Sequence, residues 1–382
     1  MQDFMFSIPQ NIIFGKGSLK KLPALLEKVP AGKLLILSDR GLEKAGAVKK
    51  VTDILEKAGI GYEIFLDIEA NPSIETVNAA LAVYKSSGGV AVIALGGGSP
   101  MDVAKAVGIL AVYGGEITQY EGAHLVPGKV IPIIAIPTTA GTGSEVTAFA
   151  VITDRSRNYK LTVFSHELVP MYALLDPELI MSLPAAIAAA TGMDALVHAI
   201  EAYLSKAASP FTDAVAEKAM KLIGQNIRRF VADRGNAEAA SSMMMASTLA
   251  GIAFAWARLG NVHAMAHPLG GFFHVPHGVA NAILLPVVLE YNGLADNGRY
   301  EVIYDLIKMG NEKVCYFAPS ILVGEIKQLN RELEIPERLS DVGVTEDKIP
   351  EMAADAMKSG NIAVNPRTTT VKDIEVLYRK AL

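Results

Sequence analysis

The stretch VAVIALGGGSPMDVAKAVG, residues 90–108, joins an uninterrupted apolar run to a glycine turn and then to a helical pattern. Six apolar residues between glycines suit a strand buried on both faces, as in a parallel sheet covered by helices. The turn at Gly96, Gly97 and Gly98 lets the backbone approach a ligand, and the helix it opens offers unpaired N–H groups and the positive end of its dipole. That arrangement suits a pyrophosphate. It equally suits a plain turn, and GGGSP is not the G-x-G-x-x-G fingerprint of the ordinary dinucleotide fold.

The same alternation extends on both sides of this stretch. Residues 33–38, 61–67 and 130–136 read as strands, and residues 42–58 and 73–86 as helices, which predicts βαβ units and a mostly parallel sheet. Near Leu183 and Pro184 the texture changes. From there on the segments have helical period: 185–204, 212–233, 237–259, 299–310, 320–333, 346–359 and 371–381. The expected organisation is an α/β dinucleotide-binding domain over 1–183 and an all-helical domain over 184–382, with a site in the cleft between them.

A chain of 382 residues is long enough for two cores. It is 51% apolar and 20% charged with a net charge of −5, and no basic run suggests nucleic acid or an anionic membrane as partner. The apolar share leaves room for an oligomer interface, and a homodimer or higher homo-oligomer is expected. Cys315 is the single cysteine, so no intramolecular disulfide can form, which favours a reducing compartment. The N-terminus lacks the pattern of a signal peptide, and the longest apolar runs fall short of the roughly 20 residues of a membrane span. A cytoplasmic protein is expected.

Chemistry concentrates in two segments. TGMDALVHAIEAY, residues 191–203, places Asp194 and His198 four apart, on one face of a helix. GNVHAMAHPLGGFFHVPHG, residues 260–278, carries His263, His267, His274 and His277. One carboxylate and three imidazoles, Asp194, His198, His263 and His277, fit a divalent metal such as Fe(II), Zn(II) or Mn(II), which would supply Lewis-acid chemistry at an oxygen. Singly, each histidine reads as well as a packing residue. His267, one helical turn after His263, is either a proton relay or packing. The loop PTTAGTGSEVT, residues 137–147, suits hydrogen bonding to a phosphate, ribose or carboxamide, or is a capped Ser/Thr turn. Asp39, after the first strand, suits ribose hydroxyls or a simple turn. Phe149, Phe254 and Trp256 line a substrate pocket or fill core.

GGGSPMDVAKA, PTTAGTGSEVT, LLDPELIMSLPAAIAAATGMDALVHAIEAY and GNVHAMAHPLGGFFHVPHGVANAILLPVV resemble the iron-containing alcohol dehydrogenases, and the likeness runs as far as Asn365–Arg367. It implies a dehydroquinate-synthase-like, Rossmann-type α/β domain followed by a helical domain. The activity implied is hydride transfer between NAD(H), rather than NADP(H), and a small primary alcohol or aldehyde. The metal implied is Fe(2+), with Zn(2+) or another divalent ion as substitute, held by Asp194, His198, His263 and His277, with His267 relaying a proton. The cofactor residues implied are Gly97, Gly98 and Ser99 at the pyrophosphate, Asp102 near the nicotinamide, Thr138, Thr139, Thr142 and Ser144 on the second loop, Asn71 and Lys160 as further contacts, and Asp39 selecting NAD. Where a branch of the family acting on diols and hydroxyaldehydes has a polar Asn, this chain has Phe149, which favours a simple alcohol. Two alternatives are a hydroxyacid–oxoacid transhydrogenase of the same superfamily and a dehydroquinate-synthase-type lyase. Apolar Phe149 and Phe254 weigh against the first, and the lack of a phosphate-binding basic cluster weighs against the second.

Overall fold

A computed structural model describes residues 4–8, 10–157, 159–310 and 314–382. The chain divides into two compact units, one of Ile8–Ser182 and one of Met1–Ser7 with Leu183–Leu382.

The first unit carries β1 (Asn11–Phe14), β2 (Lys33–Leu37), β3 (Tyr62–Phe65), β4 (Gly89–Gly96), β5 (Gly122–Ala123), β6 (Ile133–Pro137), β7 (Phe149–Asp154), β8 (Tyr159–Phe164) and β9 (Tyr172–Leu175). Its helices are α1 (Leu22–Leu26), α2 (Arg40–Lys44), α3 (Ala47–Lys57), α4 (Ile74–Ser87) and α5 (Gly98–Tyr113). Six strands form one sheet in the order β1-β9-β6-β4-β2-β3, and every pairing in it is parallel. Alternate residues feed two cores. Leu35, Leu37, Val92 and Ala94 pack with Val77 of α4 and Val103 and Val107 of α5. Leu34, Ile36, Ile93 and Leu95 pack with Val48, Val51 and Leu55 of α3. Burying each such aliphatic side chain contributes about 1.5–3 kcal/mol, so the continuous apolar run of β4 belongs at the centre.

The order β3-β2-β4-β6-β9 matters for function. The chain leaves β2 in one direction, to β3, and returns on the other side at β4. In doubly wound sheets, ligands bind outside the carboxyl ends of the strands at such a reversal. Asp39 follows β2 there, and Gly97, Gly98 and Ser99 follow β4.

Three differences from the sequence reading have physical causes. The helix expected over 42–58 is two helices, because Gly46 takes the left-handed conformation (φ 77°) between α2 and α3. β7 and β8 form an antiparallel hairpin that, with β5, makes a separate three-stranded sheet. β1 and β9, four residues each, are too short to show a period.

The second unit is helical: α6 (Ala185–Leu204), α7 (Pro210–Ala232), α8 (Ala237–Ala257), α9 (Asn261–Phe273), α10 (His277–Asn292), α11 (Arg299–Ile307), α12 (Pro319–Glu332), α13 (Ile349–Ala356) and α14 (Val371–Ala381). α9 and α10 are additions to the helices expected from periodicity; each contains a proline, Pro268 and Pro286, that interrupts the pattern. Counting uninterrupted apolar runs also understates hydropathy. Ala185–Leu204, Ala237–Ala257 and His277–Ala295 are long and apolar enough to cross a membrane, but 72%, 61% and 56% of these windows are buried inside the protein. Their apolar faces are largely occupied by helix packing.

Candidate active site

Asp194 and His198 project from one face of α6, and both are buried. His263 lies in the first turn of α9, and His277 opens α10. The two helix starts converge on α6. His263 Nε2 is 3.7 Å from Asp194 Oδ1, and His277 Nε2 is 3.8 Å from the same oxygen. One donor atom from each of these three residues lies within 4.8 Å of the others. His198 presents its ring face to His263 at 4.4 Å and its Nδ1 to Asp194 Oδ2 at 3.9 Å. Of the four ligands expected, three therefore converge directly and the fourth stacks beside them.

The close approach of α10 depends on Gly278. A Cβ there would lie 2.3 Å from the Ala190 carbonyl oxygen of α6, a backbone atom that cannot move aside. Gly278→Ala should push α10 outward and take His277 with it. Overpacking of this kind costs about 1–3 kcal/mol. The expected result is a lower unfolding midpoint together with weaker metal retention; an unchanged midpoint would show that the helices do not depend on this contact.

The electrostatics suit a cation. Burial works to raise the Asp194 carboxyl, but His198, His263 and His277 around it prevail and hold it well below the usual carboxylate range. Burial works to lower His263, but Asp194 and Glu201 prevail and raise it to about 9. Asn281, one turn after His277, adds a direct sign of fit. Its Nδ2 donates to Asp194 Oδ1 at 2.7 Å and sits 3.1 Å from both His263 Nε2 and His277 Nε2. One carboxylate oxygen and two ring nitrogens thus face one point, and Asn281 Oδ1 is buried without a partner. An all-N/O set of this kind suits a divalent transition metal.

Two residues here escaped the sequence reading. Glu201 accepts from His263 Nδ1 at 2.6 Å, and Asn281 donates to Asp194 Oδ1 at 2.7 Å. Both share a helical register with an expected ligand, at i+3 from His198 and i+4 from His277, which was the available signal. His267 stacks on His277 with ring centroids 5.5 Å apart. Phe254 stacks on His198 at 4.4 Å, giving the cluster an aromatic neighbour. Trp256 donates to the Ser7 carbonyl at 3.0 Å, and exposed His274 ends α9 in the left-handed conformation.

In the first unit, the two loops expected to hold a cofactor lie side by side. Thr138 N–H donates to the Gly96 carbonyl at 3.0 Å. A Cβ on Gly97 would meet Thr139 Oγ1 at 3.3 Å, and one on Gly98 would meet Thr142 Cγ2 at 3.4 Å. Thr139 Oγ1 is buried without a partner. α5 has Gly97 as its N-cap, with no side-chain cap and no acid in the first turn, so its leading N–H groups stay available to an anion. Ser99 Oγ donates to the Ala70 carbonyl at 2.8 Å, and Lys160 Nζ donates to Asn71 Oδ1 at 2.8 Å. Ser144 Oγ donates to Asp102 Oδ1 at 3.3 Å. Desolvation pushes Asp102 up to about 6 against the pull of Lys105, and pushes buried Lys105 down to about 8. Asp39 caps α2 by accepting from Leu42 N–H at 2.9 Å, while Arg40 pairs with Asp67. Phe149 stacks on Phe164 across the hairpin at 4.6 Å.

The first unit is thus a doubly wound domain with loops shaped for an anion, and the helical unit carries a His/Asp cluster suited to a divalent metal. Comparison with known proteins identifies the chain further. Residues 9–177 match the model described as iron-containing alcohol dehydrogenase, and residues 188–382 match that of the C-terminal part of the Fe-containing alcohol dehydrogenase family. The chain is 40% identical to 1,3-propanediol dehydrogenase of Klebsiella pneumoniae, over 99% of this chain and 98% of that one. It is 37% identical to the NAD-dependent methanol dehydrogenase of Bacillus methanolicus, over 99% of each. The crystal structure of a 1,3-propanediol oxidoreductase superposes with a TM-score of 0.96 at 40% identity and full coverage of both chains. The chain belongs to the iron-containing alcohol dehydrogenase family. Its activity is that of a metal-dependent alcohol dehydrogenase, an oxidoreductase.

Proposed function

We propose that this enzyme interconverts a small primary alcohol and its aldehyde with NAD(H), using Fe(II) or a similar divalent ion held by Asp194, His198, His263 and His277. The observation that carries the proposal is the convergence of one potential ligand atom each from Asp194, His263 and His277 on one point, beside the Asn281 amide nitrogen. A divalent cation held there would supply Lewis acidity toward a substrate oxygen, and a nicotinamide dinucleotide would supply the hydride-accepting carbon.

The chain's own residues do the rest. Asp194 stays anionic at working pH and balances the cation's charge. Phe254, against His198, offers an apolar surface that suits an alkyl chain better than a carboxylate. His267 faces His277 and is placed to take up a proton beside the ligand cluster. The loops after β4 and β6 and the uncapped start of α5 suit the pyrophosphate of the cofactor. Asp39 stands at the β2 end of the reversal point, where its carboxylate repels a 2′-phosphate and favours NAD(H). The name of the Bacillus methanolicus relative supports the same cofactor.

The test combines metal analysis of anaerobically purified protein with kcat/KM for NAD(H) and NADP(H) on a panel of primary alcohols, diols and aldehydes. Preference for NADP(H), or turnover without any divalent metal, would overturn the proposal. His267→Ala should retain the metal and lose about 10²-fold in kcat, the usual range for a general acid–base group. Loss of the metal would make it a ligand instead, and full activity with an unchanged pH profile would make it packing.

A further inference from the structure

Glu201 is a buried carboxylate that neither the ligand set nor the proton path above uses. It follows Asp194 by seven residues and His198 by three, so all three share one face of α6. Both of its oxygens are committed to the start of α9. Oε1 accepts from Val262 N–H at 2.7 Å, and Oε2 accepts from His263 N–H at 3.3 Å and lies 2.6 Å from His263 Nδ1. The Ncap residue of α9, Gly260, has no side chain to cap the helix, and a Cβ there would come within 2.9 Å of Glu201 Oε1. The first-turn N–H groups are satisfied from elsewhere: Val262 and His263 by Glu201, and Asn261 by Asn365 Oδ1 at 3.2 Å.

This geometry fixes the His263 ring. Glu201 serves as acceptor to two backbone N–H groups, so the Nδ1 facing it is the ring nitrogen that carries hydrogen. The other nitrogen, Nε2, then faces Asp194 Oδ1 at 3.7 Å and Asn281 Nδ2 at 3.1 Å, and it offers a lone pair there once a cation displaces the proton that the charged ring carries. We infer that Glu201 is a positioning residue: it locks the His263 ring in the Nε2-ligating tautomer and ties that tautomer to the capped start of α9. Carboxylates placed behind metal-bound histidines orient the ring and raise its basicity, and their loss costs roughly 10–100-fold in metal affinity.

The inference rests on the metal reading above, and the experiment separates the two. Zn(II) affinity is measured by chelator competition for wild type, Glu201→Gln and Asn365→Ala, with the unfolding midpoint of each metal-free protein. If wild type binds no stoichiometric Zn(II), the metal reading fails. Given that it binds, Glu201→Gln is the discriminating variant. Gln keeps one oxygen to accept from the start of α9 but presents an amide N–H2 that cannot also accept from Nδ1–H. The expected result is Zn(II) binding weakened 10–100-fold in Glu201→Gln. Asn365→Ala, which loosens the same helix start without touching the ring, should lower the midpoint and leave Zn(II) affinity within about twofold. Zn(II) affinity of Glu201→Gln within twofold of wild type would overturn the inference. So would equal weakening in Asn365→Ala, which would reduce Glu201 to a helix cap.

Discussion

Replacing His277 with alanine should remove the metal and the turnover together while leaving the fold intact. Its side chain is one-third exposed at the first residue of α10, so little packing is lost with it. Asp194 and His263, by contrast, are buried and tied to neighbouring helices. Without His277 the converging donor set is reduced to two residues plus the stacked His198. Lewis-acid stabilisation is worth several kcal/mol of transition-state energy, and each 1.36 kcal/mol is tenfold in rate, so kcat/KM should fall on the order of 10³-fold or more. A thermal measurement provides an independent readout. A bound ion present at about 1,000 times its Kd adds about 4 kcal/mol of stability. Added Zn(II) should therefore raise the Tm of stripped wild type and not that of the variant. In wild type, metal uptake should also tighten as pH rises toward about 9, because a cation must displace the proton that Asp194 and Glu201 help His263 to hold. Stoichiometric metal and wild-type turnover in His277→Ala would remove this residue from the site.

How much of this could be read from the sequence depends on where each signal lies. That Asp194 and His198 are neighbours is legible because a four-residue spacing on a helix is a local fact. His263 and His277 were legible as residue types, but their meeting depends on two helix starts converging on α6, which Gly278 permits and no periodicity encodes. Glu201 carries the same helical register as Asp194 and His198. It was missed because a glutamate near the end of a helix ordinarily faces water, and only the docking of α9 buries it. The β7–β8 hairpin alternates buried and half-buried residues along Phe149–Asp154, a period of two. Its signal was masked by Ser/Thr-rich texture upstream. Asp39 shows the limit from the other side: one carboxylate at the end of a strand caps α2 whether or not it also meets a ribose.

Lys105→Met should loosen the loop that follows β6 more than any surface change could. Lys105 sits inside α5 in the middle of GGGSPMDVAKAVG, where the pattern gives no hint of its burial, yet its relative exposure is 0%. Its ammonium donates to the Ser144 carbonyl at 2.9 Å, Ser144 Oγ at 3.0 Å, Thr147 Oγ1 at 3.1 Å and the Phe149 carbonyl at 2.7 Å. One cation therefore fastens the whole turn from Ser144 to Phe149 onto α5. Methionine fills similar space but leaves these acceptors and Asp102 without their donor or counter-charge, a loss that costs about 3–5 kcal/mol at a buried site. Since 1.4 kcal/mol is a factor of ten, amide hydrogen exchange across residues 138–150 should quicken by roughly 100-fold or more. The effect carries a pH signature. Lys105 is the main influence holding the Asp102 carboxyl down, so in the variant that carboxyl rises further above its present value of about 6. A carboxyl that binds its proton more tightly in the folded state favours folding at low pH and loses that contribution as pH rises through its folded value. The deficit of the variant should accordingly be larger at pH 8 than at pH 5. Unchanged exchange in this segment, or a deficit that grows toward acid, would show that Lys105 is not what holds the loop.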